Sequence, residues 1–120
     1  MRVITWNMRR AKTGSPSWGY FEDMDPDLAL LQEINEIPEY INDKYDLKYL
    51  KARGKSGNDQ HFGTAVLVKG KIESNLSLSS EIKWIRDEIK FFKGNLVSCV
   101  AKPVGKRPIK VISVYSPAWP

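Results

Sequence analysis

Apolar residues run unbroken over LALL, positions 28–31, and two polar side chains, Gln32 and Glu33, close the run. A short apolar run bounded by turn residues is the pattern of a strand covered on both faces. Its opening, Asp25-Pro26-Asp27, is a turn, because Pro26 fixes its own φ and biases Asp25 away from the helical region. The segment RVITWN, 2–7, has the same shape, with β-favouring residues from Val3 to Trp6 and a polar end at Asn7. The same reading predicts strands at 3–7, 28–32, 47–51, 63–68, 96–102 and 109–115. A short helix is expected at 17–24, with Ser15 as its cap and Pro16 at its first helical position. A second is expected at 35–43, with Pro38 in the first turn. Residues 82–92 read two ways: Ile82, Ile85, Ile89 and Phe92 keep helical spacing, while Ile82 and Trp84 also suit a strand. The stretch 51–60, with Lys51, Arg53 and Lys55 among glycine and serine, reads as a mobile loop. The alternation of strands and helices, without repeats, gives an α/β class.

Two strands that each finish on an oxygen donor could bring Asn7 and Glu33 together at one sheet edge, where open α/β folds keep their sites. The plain alternative is that Asn7 caps a turn and Glu33 is a solvated strand end. Arg9, Arg10 and Lys12 follow the first strand end, which makes Arg9 and Arg10 candidates for contact with a phosphate. Lys102, Lys106, Arg107 and Lys110 flank a later turn and read as a solubilising surface. Trp6, Trp18, Tyr20 and Phe21 could stack on bases but suit a core better.

With 120 residues and a net charge of +5, the chain has the size of one domain and a modest attraction for anions, phosphodiesters included. It has no apolar run of the ~18 residues that a transmembrane helix requires. The first strand starts so early that no room for a signal peptide is expected. The single cysteine, Cys99, lies in the apolar run LVSCVA and reads as an inert core thiol, which suits a reducing, cytoplasmic setting.

Four segments together resemble the endonuclease/exonuclease/phosphatase superfamily, which includes deoxyribonuclease-I-like and apurinic endonuclease-like enzymes. ITWNMRRA is similar to its N-terminal strand with the Asn, and PDLALLQEI to its P-D-I-x-x-L-Q-E motif. HFGTAVLVKG, 61–70, is similar to its Gly-x-(Ala/Gly)-aliphatic strand, and VISVYSP, 111–117, to its aliphatic strand ending in His or Tyr before a Pro. The resemblance spans residues 2–119 in the family's order. It implies that Glu33 is the acidic ligand of a divalent cation, Mg²⁺ or Mn²⁺, with Asn7 beside it holding the metal or the attacking water. It also implies that Tyr115 stands close to the scissile phosphate. Such chemistry is coherent, since magnesium keeps several waters and is commonly held by one carboxylate plus substrate phosphate. A phenol can donate a hydrogen bond to that phosphate while un-ionised at neutral pH. Tyr115 could equally be a tyrosine packed at a strand end.

The departures point elsewhere. The family's later Gly-Asp-x-Asn and Ser-Asp-His segments have no match in residues 1–120, and the sole histidine, His61, precedes the glycine strand rather than matching the catalytic one. Without an Asp-His pair there is no evident general base. The expectation is therefore the first half of a four-layer α/β/β/α sandwich: one mixed sheet with short flanking helices, in a single domain, 1–120, whose second half is absent. A half-sandwich should expose an apolar sheet face, to be covered by a second copy or a complementing chain. Two functions follow. One is the N-terminal portion of a metal-dependent phosphodiesterase acting on nucleic acid or another phosphodiester, inactive or weak alone. The other is a non-catalytic basic module that binds nucleic acid or protein and keeps the fold.

Overall fold

A computed structural model describes residues 1–116. In chain order the elements are β1 (Val3–Ala11), α1 (Ser17–Met24), β2 (Leu28–Ile34), α2 (Glu39–Lys44), β3 (Asp46–Arg53), β4 (Asp59–Val68), β5 (Gly70–Asn75), α3 (Lys83–Phe91), a 3₁₀ turn (Lys93–Asn95), β6 (Leu96–Pro103) and β7 (Ile109–Val114). They build two sheets. The first has the order β1-β2-β4-β3 and is mixed, with β1 parallel to β2 and β4 antiparallel to both β2 and β3. The second, β5-β6-β7, is antiparallel.

The apolar run LALL is explained by this layering. Ala29 and Leu31, with Ala65 and Leu67 of β4, pack on Trp18 and Phe21 of α1 and Ile41 of α2. Leu28, with Val66 and Val68, points the other way and meets Val97, Cys99, Ala101 and Val111 of the second sheet. Both faces of β2 are therefore dry, and alternation disappears from its sequence. Cys99 is fully buried in that second interface, where burial pushes its thiol pKa up, as an inert core thiol requires.

The mixed sheet with its flanking helices is present, but the expectation of a single sheet gives way to two. The strand that the sequence did not disclose is β5. Its residues GKIESN contain one apolar side chain, Ile72, because it is an edge strand exposed along most of its length. The second sheet covers β2 and β4, so most of the face expected to be bare is closed within the chain. What stays open is narrower: Val3 on β1 is 48% exposed, and Ile112 and Val114 on β7 are 42% and 54% exposed.

Local details differ for identifiable reasons. Helix α1 has the expected bounds, but Ser15 does not cap it; Pro16 occupies the cap position, and Ser15 Oγ accepts the Lys12 N–H at 2.8 Å instead. Helix α2 starts four residues later than expected, at Glu39, with Pro38 outside it in an extended conformation. Residues 82–92 resolve as helix α3. The expected loop at 51–60 is mostly hairpin: β3 continues to Arg53, β4 begins at Asp59, and Arg53 and Asp59 pair across it at 3.8 Å.

Tyr45 supplies a pH signature for this core. Its ring is buried edge-on against Phe21, and its hydroxyl donates to the Pro26 carbonyl at 2.9 Å. Burial, reinforced by the Asp25 carboxylate, pushes its pKa up to about 12. A folded-state pKa above the unfolded value contributes stability that is complete below ~10 and is lost as pH rises towards 12. Alkaline unfolding followed by circular dichroism should therefore show a steep stability loss across pH 10 to 12 that is shallower in Tyr45→Phe. Identical pH profiles for the two proteins would contradict the assignment.

Candidate metal and phosphate site

Strands β1 and β2 run parallel, so their C-terminal ends lie at the same edge of the sheet. Asn7 is the register partner of Gln32, the residue before Glu33. Beyond these positions both strands break register, between Asn7 and Ala11 on β1 and between Leu31 and Ile34 on β2. The breaks are made by non-glycine residues in left-handed backbone: Arg9 at φ 50°, Arg10 at φ 62° and Glu33 at φ 52°. Such backbone costs an L residue roughly 1 kcal/mol or more, and clusters of it occur where side chains must be re-aimed.

The re-aimed groups meet. Arg10 Nε lies 3.9 Å from Glu33 Oε1, and the Arg10 guanidinium sits over the Phe62 ring at 4.9 Å from its centroid. On Phe62 the Tyr115 ring packs edge-on, at 5.5 Å between centroids. Glu33, Arg10, Phe62 and Tyr115 thus form a continuous set drawn from the ends of β2 and β1, the start of β4 and the residue after β7. Burial raises the Tyr115 pKa first, the Glu33 carboxylate raises it further, and Arg10 opposes both. The phenol therefore stays protonated, and able to donate, through the neutral range.

The second sheet is tied to this end by polar contacts. Gln32 Nε2 donates to Ser113 Oγ at 3.0 Å, and the Ser113 hydroxyl donates to the Leu31 carbonyl at 3.3 Å. The Tyr115 N–H donates to the Asn95 carbonyl at 2.8 Å. Asn95 is itself a clamp, buried at 2% exposure, with Oδ1 accepting the Arg53 N–H at 2.8 Å and Nδ2 donating to the Arg53 carbonyl at 3.3 Å. The Tyr115–Asn95 bond thus extends the β6–β7 pairing by one residue, and the Asn95 side chain ties that end of the second sheet to β3.

Of the residues singled out from sequence, Glu33, Arg10 and Tyr115 come together, while Asn7 lies on the neighbouring strand at the register position of Gln32. The Asn7 amide oxygen accepts the Arg9 N–H at 3.0 Å, so it also performs the ordinary turn-capping role. Arg9 lines a cleft with Trp6, Asn7, Met8 and Ser17 instead of joining the Arg10 stack. Trp18 and Phe21 are fully buried core, and Tyr20 is exposed. The end of the resembling segment, Pro117, and Trp119 lie outside the described residues. Phe62 and Asn95 are not marked by the sequence. An aromatic before a glycine strand and a Gly-Asn after a helix have no local mark of function, because their partners are tens of residues away.

As a cation site the set is sparse. The Glu33 side chain is 19% exposed, enough to be reached from solvent, and Arg10, at 68%, is an exposed partner whose pairing is worth about 0–1 kcal/mol and yields easily. Among the described residues no group of three or more His, Cys, Asp or Glu side chains is gathered. One carboxylate suits an ion that keeps its waters, as magnesium does, and not a zinc centre.

No protein-family model and no curated protein matches this chain.

Phe62 should act as the spacer of the stack. In Phe62→Leu the volume loss is small, so stability should fall by only about 1 kcal/mol. The Tyr115 ring protons, by contrast, should lose the ring-current shift that an edge-on phenyl imposes. Unchanged Tyr115 ring resonances in the NMR spectrum would show that the two rings do not pack in solution.

Proposed function

We propose that this chain is the N-terminal portion of a metal-dependent phosphodiesterase of the endonuclease/exonuclease/phosphatase type, acting on nucleic acid or a related phosphodiester. The observation that carries the reading is the meeting of Glu33, Arg10 and Tyr115 at the C-terminal ends of two parallel strands. The layering of α1 and α2 on one sheet, with a second sheet behind it, is compatible with part of a four-layer α/β/β/α sandwich.

In this reading the Glu33 carboxylate and the Asn7 amide would hold Mg²⁺ or Mn²⁺ together with water. The ion, when bound, neutralises charge on the phosphate and its leaving oxygen. With Glu33 engaged by such an ion, Arg10, which rests on Phe62, would be released to offer its guanidinium to a phosphate oxygen. Tyr115 donates its phenolic proton to the same phosphate as a hydrogen bond. A base to deprotonate water is not among these groups, and His61 is exposed with no carboxylate paired to it among the described residues. Turnover by residues 1–120 alone is therefore expected to be negligible, with the base to be supplied by further polypeptide, a complementing chain or a second copy. The open flank of β1, bearing exposed Val3, is the place for it to pack.

The second reading, a basic module that binds nucleic acid or protein without catalysis, draws on the sparse donor set and the net charge of +5. Binding of a short duplex oligonucleotide, with Mg²⁺ or with chelator, separates the two. The phosphodiesterase reading expects Mg²⁺ to tighten binding several-fold in wild type and not in Glu33→Ala. Equal affinity under both conditions would leave only the basic module.

A further inference from the structure

Away from the strand ends, a cleft of about 550 Å³ opens between the β3 edge of the first sheet, β6 of the second and helix α3. It shares no residue with the Glu33 set. Its apolar lining is entirely aliphatic, from Leu50, Leu76, Leu78, Ile89 and Leu96, each only half-buried. Its charged lining is entirely cationic: Lys48, Lys90 and Lys93. Lys48 is the innermost of these by its place within β3, and its ammonium donates to the Ser98 carbonyl at 2.8 Å, which leaves two of its three protons for another acceptor. Among the described residues no carboxylate is paired with any of the three lysines.

We propose that this cleft binds an anionic amphiphile, its alkyl chain against the leucines and its carboxylate or similar headgroup on Lys48 and the lysines of the rim. The composition decides the ligand class. Aliphatic walls without an aromatic ring give no platform for a nucleobase, whereas they match a saturated chain. Cations without counter-charges at the edge of an apolar cavity favour an anion over a neutral or cationic head. The size lies in the range of small-ligand sites, which run from ~300 to ~1,000 Å³. Helix α3, which has no fully buried residue, is the movable wall that lets the chain in.

Methyl NMR of the full chain, titrated separately with decanoate, decanol and decyltrimethylammonium below micelle-forming concentration, tests the assignment. The expected result is saturable shifting of the Leu50, Leu76, Ile89 and Leu96 methyls by decanoate, with decanol weaker by about tenfold and the cation inert. Lys48→Met keeps the length of the side chain and should weaken decanoate by about tenfold while leaving decanol unchanged. No saturable shifts, equal affinity for decanol and decanoate, equal decanoate binding by wild type and Lys48→Met, or shifts centred on Phe62 and Tyr115 would each overturn the proposal.

Discussion

Among the glycine-to-alanine changes, Gly94→Ala should be the most damaging. A Cβ at Gly94 would stand 1.5 Å from the Lys51 carbonyl oxygen and 2.6 Å from its carbon, so the obstruction is backbone and no rotamer change relieves it. Either β3 or the turn after α3 must shift. Overpacking of a close contact costs ~1–3 kcal/mol and sometimes more, a large share of the ~5–15 kcal/mol that a domain has in total. Gly94→Ala is expected at or above the top of that range, seen as a fall in the urea midpoint. The effect should reach the candidate site, because Gly94 precedes Asn95, the residue that holds both Arg53 and the Tyr115 N–H. Gly19→Ala is the control: its Cβ would meet nothing within 4 Å, and in the interior of α1 alanine should be neutral or stabilising by up to ~1 kcal/mol. Equal midpoints for the two variants would mean that the close approach of the turn to β3 does not exist in solution.

Strands with a dry face were legible from sequence, and strands without one were not. LALL, GTAVLV and LVSCVA are apolar enough to be read directly, since both their faces or their inner face lie in one of the two cores. β5 escaped because an edge strand with a single half-buried side chain leaves no alternation to detect. The presence of a second sheet escaped with it, and so did the closure of most of the face expected to be bare. Strand ends were also read short. β1 continues four residues past Asn7, through Arg9 and Arg10 in left-handed backbone that only tertiary packing can impose on such residues. The residues of the proposed site could be picked out where they lie close to strand ends, as Glu33 and Tyr115 do. They were hidden where long-range packing makes the link, as in the Phe62 stack and the Asn95 clamp.

The central claim is that Glu33 is the carboxylate that holds a divalent cation. Its only ion-pair partner among the described residues is Arg10, exposed and weakly held, so the carboxylate can be taken over by a cation at little cost. Removing it takes the carboxylate from a site where, among the described residues, no group of three or more His, Cys, Asp or Glu side chains is gathered. The loss should therefore be close to complete, with affinity reduced by about a hundredfold. Mn²⁺ titrated into isotopically labelled wild type and Glu33→Ala provides the readout through paramagnetic broadening. Preferential broadening at Asn7, Gln32, Phe62 and Tyr115 in wild type, absent from Glu33→Ala whose remaining spectrum is folded, is the predicted result. The same broadening at those residues in both proteins, or broadening spread over surface acids such as Asp23, Asp43 and Asp87 in both, would contradict it.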